Sequence, residues 1–132
     1  MSRVIHFEIH ASRPSELIAF YRELFGWKFS QWANQEYWLI ETGAADRPGI
    51  NGGLTQRRGP APSGEQPVNC FSCTVEVPGL DKCLEDARRL GAEVVVPKMP
   101  IPGVGWLAYL KDPDRNILGV MQHDPAAGQG AG

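Results

Sequence analysis

His6, Glu8 and His10 alternate with Ile5, Phe7 and Ile9 near the start of the chain, the period of two that puts successive side chains on opposite faces of a β-strand. One face of that strand gathers two imidazoles and a carboxylate. An imidazole near its ordinary pKa of about 6.5 can take or give a proton at neutral pH, so His6 is a candidate general base and Glu8 its neighbour. With the apolar face packed under a helix, His6 and Glu8 face the other side. That side is either solvent, as in many half-exposed strands, or the wall of a concavity where ionisable groups bind ligands or catalyse. His6 and His10 share the face but stand about 13 Å apart along a strand, too far to hold one ion together.

The elements that must position these groups are legible from periodicity. Leu17, Ile18, Phe20, Tyr21, Leu24 and Phe25 form a helical stripe, which predicts a helix over 14–25 with Ser12 as N-cap, Pro14 in the first turn and Gly26 as its stop. Leu80, Cys83, Leu84, Ala87 and Leu90 predict a second helix over 80–90, stopped by Gly91. The two stops lie 65 residues apart. A strand-like run precedes each helix and three follow it, at 4–10, 27–32, 37–42 and 49–56, then 68–77, 93–98, 105–110 and 116–122. The chain therefore reads as an α+β duplication of βαβββ modules, about 3–56 and 68–123, in one domain.

A Pro-, Gly- and Ser-rich linker at 57–67 joins the modules. The run Pro97-Lys98-Met99-Pro100-Ile101-Pro102-Gly103 predicts a stiff connection over a pocket, and Asp112-Pro113-Asp114-Arg115-Asn116 a tight hairpin turn. The tail 124–132 is expected to be disordered, having little to pack.

Composition narrows the function. In 132 residues, 13 Lys and Arg face 15 Asp and Glu, so no basic field exists to gather phosphates and a nucleic-acid partner is not expected. No stretch approaches the roughly 20 apolar residues of a membrane span, and no apolar leader follows Met1, so the expectation is a cytoplasmic protein with no membrane partner. Cys70, Cys73 and Cys83 are an odd set, and reduced thiols are expected. The Cys70-Phe71-Ser72-Cys73 pair lies in a strand-like run rather than at the helix start that redox pairs use, and Cys83 reads as core.

Ile5-His6-Phe7-Glu8-Ile9, the run from Phe20-Tyr21 to Gly26-Trp27, Asn51-Gly52-Gly53 and Lys111-Asp112-Pro113-Asp114-Arg115-Asn116 together resemble the vicinal oxygen chelate superfamily of glyoxalases, bleomycin-resistance proteins and extradiol dioxygenases. The resemblance covers about residues 3–123. It implies a U-shaped mixed sheet of paired modules, usually in a homodimer, with a small-molecule site in the concavity. Metal-using members have four ligand positions, in the first and last strand of each module. His6 matches the first of them. Phe71, Gly119 and the stretch around Asn51 match the others, and of these only Asn51 has a coordinating atom, a weak one.

The resemblance thus implies a protein that binds a small organic molecule without a cofactor, through His6, Glu8, Trp38, Asn51, Phe71, Trp106, Tyr109 and Met121. The other reading is a metal-dependent lyase, isomerase or dioxygenase for a small oxygenated substrate, with a divalent ion held through His6. Gly52 and Gly53 inside a strand suggest that a ligand or another backbone comes close there. Strand parity makes one prediction testable by paired chemical denaturation. Phe7→Ala should destabilise by about 3 to 5 kcal/mol as a core truncation, while His6→Ala leaves the fold intact; His6→Ala proving the more damaging would make His6 structural.

Overall fold

In the computed structural model, which describes residues 2–63 and 65–129, the chain forms two compact units, Met1–Pro62 and Ser63–Gly132. The first contains β1 (Phe7–Ala11), α1 (Pro14–Phe25), β2 (Lys28–Gln31), β3 (Tyr37–Glu41) and β4 (Gly52–Gln56). Its sheet runs in the order β1-β4-β3-β2, with β1 parallel to β4 and the remaining pairs antiparallel. The second contains β5 (Thr74–Glu76), α2 (Leu80–Arg89), β6 (Glu93–Ile101), β7 (Gly105–Lys111) and β8 (Ile117–His123), in the order β5-β8-β7-β6. Each is a βαβββ module with a four-stranded mixed sheet, as the duplicated pattern predicts.

Helix α1 buries Leu17, Ile18, Phe20 and Tyr21. The Tyr21 ring stacks on Trp27 at 5.3 Å between centroids, and Trp27 in turn meets Phe25 at 4.9 Å and Phe7 at 5.7 Å. This aromatic cluster ties helix, strand and following turn together, each well-placed ring pair adding about 0.5–1.5 kcal/mol beyond its buried area. Gly26 closes the helix in the left-handed conformation, φ 74°, with its N–H donating to Arg22 O. The N-cap is Arg13 rather than Ser12, and it makes no side-chain cap; its guanidinium instead pairs with Glu16 at 3.1 Å. In the second unit α2 buries Leu80, Cys83, Leu84 and Ala87 against a sheet whose Ala108, Leu110 and Val120 are fully buried.

Several boundaries differ from the sequence reading, for geometric reasons. Residues 4–6 and 68–73 lie outside the strands. Parallel pairing sets Phe7 opposite Gly52 and Thr74 opposite Gly119, so the chain upstream soon runs off the ends of β4 and β8 and has no ladder to join. Val4, Ile5 and Phe71 are exposed in consequence. The stiff run 97–103 is not a separate covering loop: up to Ile101 it continues β6, paired with β7 through register shifts between Val94 and Val96 and between Val96 and Met99, the second of which spans Pro97.

The turn 112–116 forms as expected around Asp112, which is buried and accepts from the backbone N–H of Asp114 (2.8 Å) and Asn116 (2.9 Å) and from Asn116 Nδ2 (3.0 Å). The described part of the tail packs onto the second unit. Ala127 is fully buried and its carbonyl accepts from Gly103 N–H, while Asp124 accepts from Trp106 Nε1 at 3.1 Å and from Ala126 N–H. A small side chain and backbone hydrogen bonds suffice to dock it; residues 130–132 of the expected tail fall outside the described residues.

Two measurements check this architecture. Leu54→Ala, at a fully buried position between Ile9 and Trp38 in the sheet, should cost about 2–5 kcal/mol in chemical denaturation. Burial, with Asp86 nearby, pushes the Cys83 thiol up to about 11, so a thiol reagent at neutral pH should react at the exposed Cys70 and Cys73 and reach Cys83 only on unfolding.

Candidate functional site

Because β1, β4 and β3 pair in fixed register, their side chains sort onto two faces. Phe7, Ile9, Gly52, Leu54, Trp38 and Ile40 lie on the face that α1 covers. Glu8, His10, Gly53, Thr55, Tyr37, Leu39 and Glu41 lie on the other, open face. His6 extends the open-face row of β1 by one pair and is exposed.

The centre of this open face is Tyr37. Its ring reaches across β4 over Gly53, so closely that a Cβ at that glycine would run into the phenol. The hydroxyl lies 2.8 Å from His6 Nε2, and the Glu8 carboxylate is near enough for its charge to act on the phenol. Glu8 Oε1 in turn lies 3.1 Å from His10 Nε2. The result is a polar row of two hydrogen-bonded pairs, His6 with Tyr37 and Glu8 with His10, drawn from β1, its leading residue and β3. Partial burial first, then the nearby Glu8 carboxylate, raises the Tyr37 phenol above its ordinary value near 10, so it stays protonated throughout the neutral range.

Two shallow depressions flank the row. One, of about 440 Å³, is bordered by His6, Lys28, Ser30, Leu39, Glu41 and Asn51. The other, of about 410 Å³, is bordered by Trp32, Glu36, Tyr37, Thr55 and Arg58. Both are open grooves on the first unit.

The structure brings together some of the residues singled out from sequence and separates others. His6 and Glu8 stand on one open face, with Asn51 at its edge. Asn51 Oδ1 accepts from Thr42 N–H at 3.0 Å and from Thr42 Oγ1 at 3.3 Å. Trp38 is displaced from the predicted site: it points to the α1 side, and Tyr37, which carries no signal of its own in the sequence, takes the open face. In the second unit Tyr109 and Met121 share the face opposite α2, with Leu107. Trp106 lies on the α2 side instead, its ring 4.9 Å from the Lys98 ammonium, which pairs with Asp81 of α2 at 3.1 Å. Phe71 precedes β5 and is 96% exposed.

At Gly52 another backbone does come close, as the sequence expectation allowed: a Cβ there would meet the Phe7 carbonyl oxygen and then its ring, whereas at Gly53 the close neighbour is the Tyr37 side chain on the other face. Gly119 shows the same pattern in the second unit, where Thr74 Oγ1 and Tyr109 would crowd a Cβ.

A divalent metal does not fit these residues. Phe71 and Gly119 offer no coordinating atom, and the Tyr37 ring fills the space above Gly53. Asn51 has its oxygen committed to Thr42, and the residue opposite Gly119 is Thr74, a hydroxyl rather than an imidazole. Among the described residues no three His, Cys, Asp or Glu side chains are grouped for one ion.

The role of Gly53 and Glu8 in seating Tyr37 can be checked by spectrophotometric tyrosine titration. Glu8→Gln removes the charge that disfavours phenolate, so the Tyr37 midpoint should fall toward the ordinary value. Gly53→Ala should expel the ring and lower it further. A midpoint unmoved by both substitutions would show that Tyr37 is not held where the structure places it.

The comparisons with known proteins agree with this architecture. No curated protein sequence matches the chain. Among solved structures, a glyoxylase/bleomycin resistance protein/dioxygenase domain from Frankia sp. EAN1pec superposes with a TM-score of 0.71 at 19% identity, covering 94% of this chain and 99% of that one. A mutant of the fosfomycin resistance protein FosX from Listeria monocytogenes, complexed with Mn(II) and 1S,2S-dihydroxypropylphosphonic acid, superposes at 0.70 with 16% identity, covering 96% and 94%. TioX from Micromonospora sp. ML1 gives 0.65 at 16% identity, covering 93% and 100%. At such identities these likenesses concern the fold. The profile of the Glyoxalase/Bleomycin resistance protein/Dioxygenase superfamily matches residues 3–120, and the chain therefore belongs to that superfamily.

Proposed function

We propose that this protein binds a small organic molecule against the open face of its first sheet, without a metal ion. The observation that carries the reading is the seating of Tyr37 over Gly53 with its hydroxyl beside His6. Of the ligand positions that the resemblance implies, Phe71 and Gly119 have no coordinating atom, and Asn51 offers only an amide oxygen already bonded to Thr42. What remains is a polar row of His6, Tyr37 and Glu8 between two grooves, with Leu39 and Trp32 as exposed apolar flanks. A few directional groups beside apolar surface suit a ligand that is part aromatic or aliphatic and part oxygenated. Two of the solved relatives are named for resistance proteins, which supports a small organic ligand, and one of them is complexed with Mn(II), so they do not bear on the absence of a metal.

A homodimer belongs to the same reading. Val4, Ile5, Leu39, Val68 and Phe71 are large apolar side chains left exposed, and a second copy would remove such surface from water. Sedimentation at micromolar concentration should show a dimer; a monomer would refute it.

Protein purified without chelators should hold less than about a tenth of an equivalent of zinc, nickel, manganese or iron. Near-stoichiometric metal that vanishes in His6→Ala would restore the metal-dependent reading. A thermal-shift screen against aldehyde adducts, catechols and aromatic antibiotics should give at least one ligand that raises the melting temperature by mass action, an effect reduced in His6→Ala and Tyr37→Phe. Stabilisation undiminished in both variants would place the ligand elsewhere.

A further inference from the structure

Cys70 and Cys73 are exposed, whereas the third cysteine, Cys83, is buried. Were the run 68–77 a strand throughout, side chains three apart would point to opposite faces with their Cα atoms about 10 Å apart, and no bond could join the two sulfurs. The structure removes that obstacle. Strand β5 begins only at Thr74, and just ahead of it the Cys73 carbonyl accepts from Gly119 N–H at 2.8 Å. Among the described residues, none makes a backbone–backbone hydrogen bond with residues 67–72, and the backbone bends at Cys70. Cys73 is thus fixed to the sheet, while Cys70 stands three residues up a tether that no ladder holds straight. A four-residue turn brings its end Cα atoms within about 7 Å, and a disulfide needs them about 4.4–6.8 Å apart. A turn over Cys70-Phe71-Ser72-Cys73 meets that requirement. Neither central residue opposes it, because serine is common in turns and Phe71, 96% exposed, has no packing to lose.

We propose that Cys70 and Cys73 form a peroxide-sensitive modification site, closing to an intrachain disulfide on oxidation and reopening under a dithiol reductant. One thiolate attacks a hydroperoxide. The O–O bond breaks, the sulfur keeps the terminal oxygen as a sulfenic acid, and the departing alkoxide takes a proton from water. The second thiolate then attacks that sulfur, the S–O bond breaks, and hydroxide leaves as water with the proton that the second thiol released. In balance, two thiols lose two hydrogens and two electrons, and the hydroperoxide becomes an alcohol and water. Cys83 takes no part, being held in the buried face of α2. The closed loop fixes Phe71 and Ser72 as the centre of a turn, so the oxidation state of the pair decides where the exposed Phe71 ring stands.

Peptide mapping of the full-length protein tests this. Trypsin cleaves after Arg58 and after Lys82, so one peptide, 59–82, carries both Cys70 and Cys73, and Cys83 opens the next. The reduced protein is oxidised to completion with a slight excess of hydrogen peroxide, unfolded, alkylated and digested. Peptide 59–82 is expected to lose the mass of two hydrogens and to escape alkylation. The thiol count per unfolded chain should fall from three to one, and dithiothreitol should restore both. Cys70→Ser and Cys73→Ser should each stop at a sulfenic acid that dimedone traps. Disulfide-linked chains on a non-reducing gel, linkage to the peptide that carries Cys83, or sulfinic acid at both cysteines with no bond between them overturns the proposal. So does survival of all three thiols. A second copy seated over Val68 and Phe71 would slow the reaction without changing its product, so the result does not depend on the oligomeric state or on the ligand.

Discussion

The parallel pairing of the first strand of each module with its last is the constraint from which the rest follows. It joins segments far apart in the chain and costs loop-closure entropy before any contact rewards it. Once Phe7 stands opposite Gly52 and Glu8 opposite Gly53, every side chain in the first sheet is assigned a face. A slip of one residue would send Glu8 under α1 and Phe7 into the open. The aromatic cluster of Phe7, Tyr21, Phe25 and Trp27 opposes that slip, because it fits only when Phe7 is on the helix side.

The two adjacent glycines show how one strand serves both faces. β4 is the second strand from the edge, flanked by β1 and β3, and its glycines let rings approach from above and below: Phe7 from the core, Tyr37 from the open side. Glycine in a strand is ordinarily unfavourable by roughly 0.5–1 kcal/mol relative to alanine. Here that cost is offset by an aromatic ring laid where a side chain would have stood. On the open face the ring delivers a hydroxyl to the imidazole at the leading edge of β1.

The second unit repeats the strand order with different side chains, and the comparison separates scaffold from site. Thr74, Gly119 and Tyr109 stand in the rungs that correspond to Glu8, Gly53 and Leu39. Among the described residues, the polar row of the first unit has no counterpart there. A shared topology carries unrelated chemistries because the fold depends on the buried face, while ligands meet the other one.

Much of the fold was determined by sequence alone, because it is written in local terms. The bounds of α1 follow from its stripe, Pro14 and Gly26; the turn at 112–116 follows from Asp112 and Asn116; the order of elements follows from the repeated helix stops. The faces of β1 were also legible, since strict alternation leaves one solution. Strand β3 was not, because Tyr37-Trp38-Leu39-Ile40 is apolar or aromatic at every position and carries no period from which to choose a face. Only its pairing with β4 decided that Tyr37, and not Trp38, stands beside His6 and Glu8. Trp106 was assigned to the wrong side for the same reason, in a strand with apolar residues on both faces. The ends of β1 and β5 likewise depended on where their partner strands begin, which no local propensity encodes. Alternation and capping act between near neighbours in the chain, whereas the choice of face and the meeting of Tyr37 with His6 arise from non-local pairing that exists only once the sheet has formed.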